Sequence, residues 1–157
     1  MKNISILLAG LLLAGSLAGC KKDDDKDPSK VDLLTAKNWQ QTAGTATSTD
    51  RGITTTVDIY KDQEACEKDN FLKFNSNKTV DVNEGPTRCD ASDPQVVSGS
   101  WDLNSDQTKL YLNSTALGGG LTAQLEVVEL SSSKLVLKGT DLSQGTTDTY
   151  TVTFTAM

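Results

Sequence analysis

The sequence predicts an all-β protein: a small antiparallel up-and-down barrel of about eight strands, preceded by a short N-terminal helix. Three observations carry that prediction. Apolar residues recur at every second position. The cleanest run is Thr149-Tyr150-Thr151-Val152-Thr153-Phe154-Thr155, apolar at each even position and threonine at each odd one, as a half-buried strand requires. Three successive stretches, FLKFNSNKTVDV, WDLNSDQTKLYL and VVELSSSKLVL, each join two alternating runs through a polar turn, as hairpins of a meander do. No long helical period follows residue 37.

Taken in order, residues 29–37 suggest the helix. Ser29 can cap it, Asp32 stands three residues on, and Val31, Leu33 and Leu34 give a small apolar face. Alternation then marks strands at Leu72-Phe74, Val80-Val82, Val97-Gly99-Trp101-Leu103, Leu110-Leu112, Leu121-Ala123-Leu125-Val127, Leu135-Leu137 and Tyr150-Phe154. Turns fall at Asn75-Ser76-Asn77, Asn104-Ser105-Asp106 and Ser131-Ser132-Ser133. Leu117-Gly118-Gly119-Gly120-Leu121 reads as a connector, because it lacks the lysine and the strand–helix context of a phosphate loop. Eight or nine strands are expected within residues 38–155. One wet face per sheet gives this rhythm.

Composition excludes several classes. The 157 residues contain no histidine and carry a formal charge of -6. Without histidine there is no general base of the usual kind, no Ser-His-Asp arrangement and none of the commonest metal ligand. An acidic chain is unsuited to nucleic acid, whose phosphates call for clustered lysine and arginine. Acidic side chains gather around the later cysteines, from Asp58 to Asp69 and again at Glu84, Asp90 and Asp93, but no Asp-x-Asp-x-Asp-Gly loop is present. The expectation is a protein with no catalytic residues, no metal and no cofactor, and not an enzyme.

The N-terminus, MKNISILLAGLLLAGSLAGC, has one lysine, an apolar run and then small residues. This is the layout of a secretory signal, and the run is too short to span a bilayer. Leu17-Ala18-Gly19-Cys20 resembles the lipobox of bacterial lipoproteins. The resemblance implies cleavage after residue 19 and acylation of Cys20, whose acyl chains (palmitate among them) enter outer-membrane lipid. Residues 20–32 then form a charged, flexible tether. Within it, Lys21, Lys22, Asp23, Asp24 and Asp25 resemble the export signal that sends Bacteroidetes lipoproteins to the exterior face of the outer membrane; the alternative is the periplasmic face. Two cysteines remain, Cys66 and Cys89. In an exported protein a disulfide is the default, tying the Tyr60–Asp69 segment to the loop after Val82; the alternative is a reactive thiol.

The folded stretch also has a family likeness. Leu33-Leu34-Thr35-Ala36-Lys37-Asn38-Trp39, Asp58-Ile59-Tyr60, Ala65-Cys66-Glu67-Lys68-Asp69-Asn70, Glu84-Gly85-Pro86-Thr87-Arg88-Cys89 and Gly99-Ser100-Trp101-Asp102-Leu103 together resemble the lipocalin-like domain of Bacteroidetes lipoproteins, over residues 33–157. In lipocalins a Gly-x-Trp near the first strand closes one barrel end. Trp39 matches that tryptophan, but Ala36-Lys37-Asn38 precedes it without the glycine.

Seventeen apolar residues take the inward phase. An eight-stranded barrel is just wide enough to be filled by side chains or to hold one small ligand, so the residue pattern leads to a mostly filled interior, with an apolar cavity as the alternative. If a ligand is held, Trp39, Trp101, Tyr150 and Phe154 are the candidate contacts. The functional expectation is a membrane-anchored barrel that binds a small hydrophobic ligand or serves as an accessory module at the cell surface. The rival is a module for a protein or glycan partner, with a filled core.

Overall fold

The structure, a computed structural model, describes residues 27–115, 122–143 and 146–157. The signal, Cys20, residues 21–25 and the Leu117-to-Leu121 connector lie outside the described residues. The elements are α1 (Lys30–Thr35), β1 (Asn38–Asp50), β2 (Ile53–Asp58), α2 (Ala65–Lys68), β3 (Phe71–Phe74), β4 (Thr79–Asn83), β5 (Val96–Leu103), β6 (Lys109–Asn113), β7 (Thr122–Leu130), β8 (Lys134–Ser143) and β9 (Thr146–Ala156). Strands β3 to β9 pair in sequence order, β1 joins β3, and β9 returns to β1. Eight antiparallel strands therefore close a barrel, as expected, and β2 stands outside its wall. All of these elements and the whole core fall within residues 30–157, so the 27–157 chain contains the complete folding unit.

One end of the barrel is closed. The three expected hairpin turns all lie there. Two of them share one chemistry, Asn-Ser-Asn-Lys-Thr at 75–79 and Asn-Ser-Asp-Gln-Thr at 104–108. In each, the fourth residue takes a positive φ (Lys78 69°, Gln107 57°). The third residue's side-chain oxygen accepts from the threonine amide at 3.1 Å, which is the Asx-turn mechanism. Helix α1 lies across this end. Ser29 and Asp32 form its capping box, and Lys30 Nζ donates to the Gln107 carbonyl at 2.7 Å. Leu34 is fully buried under the helix, and the Trp39 indole N–H donates to the Leu34 carbonyl at 2.9 Å. Trp39 thus seals the barrel despite the missing glycine.

The core above this plug contains Phe74, Val80, Trp101, Leu110 and Leu135, each at most 2% exposed. Phe74 meets Trp101 edge-on, with centroids 5.5 Å apart, a favoured geometry for aromatic pairs. The Trp101 N–H donates to the Asn75 carbonyl at 3.0 Å, and Lys78 Nζ sits over the ring, 4.3 Å from its centroid.

The other end carries the long connections. Cys66 and Cys89 are bonded, with Cα atoms 5.3 Å apart, and tie α2 to the β4–β5 loop as expected. In that loop Gly85 has φ 68°, and a Cβ there would collide with the Asp69 carbonyl, so glycine is required.

Beyond this end the sheet continues as a four-stranded ribbon, in the order β2, β1, β9, β8. Residues 45–50 of β1 pair with β2 on one side and with residues 146–151 of β9 on the other. Both faces of the ribbon are wet. Ile53 is 73% exposed and Leu142 76%. One face is largely threonine, whose hydroxyls pair across strands, as in Thr47 with Thr56 at 2.9 Å. The sequence pattern did not predict the ribbon, because a strand with two wet faces shows no apolar alternation.

Candidate binding cavity

The barrel interior is not filled, which corrects the expectation of a mostly packed core. A cavity of about 330 Å³ lies toward the open end, within the size range of small-molecule pockets. Leu72, Leu112, Leu125, Leu137, Val152 and Phe154 form most of its wall. Two small residues leave the space: Ala123 on β7 and Gly139 on β8 both face it. A Cβ on Gly139 would already stand 3.1 Å from Leu125 Cδ2. Inward alternation therefore brings apolar residues to the wall, and residue size decides how much room they leave.

The polar residues of the lining are Gln41 and Tyr150. Gln41 reaches the interior as the next inward position after Trp39, opposite Phe154, and a register shift between Gln41 and Ala43 then puts Gly44 and Ala46 on the same inner face. A side chamber of about 210 Å³ adjoins the main cavity and shares Gln41, Leu72 and Phe154 with it. Gln63 Nε2 donates to Gln41 Oε1 at 3.4 Å, while Gln63 Oε1 is buried with no partner. The wall offers apolar contact, and a few amide groups give orientation.

The four expected contact residues divide. Phe154 lines both chambers, and Tyr150 lines the main one. Tyr150 is 43% exposed and stands at the mouth, whereas its sequence phase had suggested core. Trp39 lines the side chamber from below. Trp101 does not line either chamber: it is spent on the closed end, against Phe74 and Lys78. Sequence reasoning overlooked Gln41, Ala123 and Gly139. All three follow the inward alternation, Gln41 two residues after Trp39, but a polar or small residue does not stand out in an apolar pattern.

Charge is unevenly placed. The open-end segments 50–69, 84–93 and 138–148 hold eleven carboxylates and five cationic side chains; the rest of residues 30–157 holds six of each. The carboxylates with shifted acidity lie away from the cavity. The Ser98 hydroxyl, and after it the Asn75 amide, hold Asp81 below its ordinary value. Asp106 is lowered in the same direction by the hydroxyl and amide of Thr108.

A family model described as a lipocalin-like domain matches residues 35–137. The chain belongs to that family. Among solved structures it is similar to a lipocalin-like protein from Bacteroides uniformis ATCC 8492, at 14% identity and a TM-score of 0.39, over 75% of this chain and 96% of that one. It is also similar to bovine odorant-binding protein in complex with a selenium-containing odorant, at 18% identity and a TM-score of 0.43, over 85% of this chain and 76% of that one. No curated protein matches the chain. Within the lipocalin-like domain the side chamber adjoins the open main cavity, and the ribbon extends past the mouth.

Proposed function

We propose that this lipocalin-like protein is a lipid-anchored carrier that holds a small hydrophobic ligand in the open end of its barrel, at the exterior face of the outer membrane. The observation that supports the reading is the apolar cavity of about 330 Å³, with Gln41 and Tyr150 as its polar groups. Burying apolar surface contributes about 0.8 kcal/mol per methylene, so a short alkyl chain or compact ring gains enough to bind. Among the described residues no cysteine, serine or carboxylate lines the main cavity, and Glu67 lines the adjoining side chamber.

The anchor rests on the sequence: the signal of residues 1–19, Cys20 as the acylated residue, and residues 21–25 as the export address. Eight residues lie between Cys20 and the Ser29 cap of α1, a span of at most about 30 Å of extended chain. Because α1 covers the closed end, this short tether favours an orientation with the closed end toward the bilayer and the mouth away from it.

A neutral naphthylamine probe tests the cavity. The 27–157 chain should enhance its fluorescence, and Ala123→Phe, which places a ring in the cavity, should reduce uptake at least tenfold while the fold persists. Absence of uptake by the parent chain would overturn the carrier reading. In cells, Cys20→Ser should abolish incorporation of labelled palmitate. Replacing Asp23, Asp24 and Asp25 with alanine should remove the protein from protease-accessible surface; unchanged surface cleavage would refute the export address.

A further inference from the structure

We propose that the cavity selects amphiphiles with a cationic head, such as an alkylammonium, and that Asp148 and Asp141 at the mouth receive that head. The proposal rests on the carrier reading and specifies its ligand class.

The inner face of the ribbon continues the cavity wall outward. On β9, Val152 and Tyr150 line the main cavity, and Asp148 is the next residue of that phase. On β8, Leu137 and Gly139 line it, and Asp141 follows in the same phase. Asp141 and Asp148 are direct partners across the two strands. Opposed side chains in such a pair stand about 5 Å apart at Cβ, and like charges placed this way destabilise the sheet.

Neither carboxylate has an ion-pair partner among the described residues. One oxygen of Asp148, Oδ1, is buried with no hydrogen-bond partner. The cation nearest in sequence, Lys138, has the opposite phase on β8 and faces the other side of the ribbon. Burying a carboxylate oxygen without a donor is unfavourable, and an incoming ammonium would supply the donor and the charge together.

Tyr150 connects this pair to the apolar wall. It lines both the main cavity and a shallow depression on the ribbon, which Asp148, Ser48, Val57 and Ala46 also line. A chain lying against Leu125, Leu137 and Phe154 would bring its head past the Tyr150 ring, a surface that attracts cations. Its head would then reach Asp148, one strand step further out. The surplus of carboxylates over cations at this end adds attraction at longer range.

The test is displacement of the neutral naphthylamine probe from the 27–157 chain by dodecylammonium, dodecanol and dodecanoate, each below its micellar concentration. Dodecylammonium should displace at about one-tenth the concentration of dodecanol, and dodecanoate should be the weakest. In the Asp141→Asn/Asp148→Asn variant, dodecanol should displace as before and the ammonium preference should vanish. Raising the salt should narrow the preference in the parent chain. Equal displacement by all three, or a preference that survives the double substitution, overturns the head-group assignment and leaves the carrier reading intact. Displacement by none of them overturns the carrier reading and this proposal with it. Calcium chloride should leave the unfolding temperature unchanged; a rise that the double substitution removes would assign the two carboxylates to a metal ion and refute the proposal.

Discussion

Removing the Cys66–Cys89 bond by the double substitution Cys66→Ala/Cys89→Ala should destabilise the barrel by about 3 kcal/mol. The magnitude follows from the 23-residue separation of the two cysteines, since cross-linking a loop of that size removes about 11 cal/mol/K of entropy from the unfolded chain. Packing contributes little, because Cys66 is half-buried and Cys89 is exposed. At about 2.1 cal/mol/K of unfolding entropy per residue, the loss corresponds to a fall of about 10–12 °C in the midpoint of the 27–157 chain. Scanning calorimetry on parent and variant measures it, and reduction of the parent by dithiothreitol should reproduce the shift. A fall of less than about 3 °C would refute the reasoning, because the loop would then not be constraining the unfolded chain. The variant should still take up the neutral probe well below its midpoint, since neither cysteine lines the cavity.

Three further outcomes follow. Leu34→Ala should cost about 2–5 kcal/mol in urea unfolding, because Leu34 is fully buried where α1 seals the barrel. Asp81 is lowered by its hydrogen bonds to Ser98 and Asn75, so its contribution to stability is complete above the unfolded aspartate value of about 3.9 and is lost as pH falls toward the lower folded value. Urea midpoints should therefore drop as the pH falls below about 4, and Asp81→Asn should flatten that drop; an unchanged slope would contradict the assignment. Trp101→Phe should lower stability through the lost indole contacts to Asn75 and Lys78 but leave the probe's affinity unchanged, because Trp101 lies away from both chambers.

The legible parts of this protein are those where one face is wet and the other dry. The Thr149-to-Thr155 alternation, the three closed-end turns and the Ser29 cap could all be read directly, because local chemistry alone decides them. Strand β2, IleThrThrThrValAsp at 53–58, and the outer half of β1 could not. Exposed on both sides, they carry no alternation; β9 holds the outer half of β1 in place, and that half of β1 in turn holds β2. The cavity fell between these cases. Its large apolar lining residues were correctly phased inward, but space depends on the size of Ala123 and Gly139 relative to the residues they face. Tertiary packing also divided the aromatics, drawing Trp101 to the plug and leaving Tyr150 at the mouth.

The account's central claim is a cavity that accepts an apolar ligand from the open end. Methyl-resolved NMR of the 27–157 chain during titration with the neutral probe tests it most directly. The account predicts shifts concentrated at Leu72, Leu112, Leu125, Leu137 and Val152, with Leu34 and Val80 at the closed end unmoved. Shifts confined to the exposed Ile53, Val57 and Leu142 of the ribbon, with the interior silent, would contradict it.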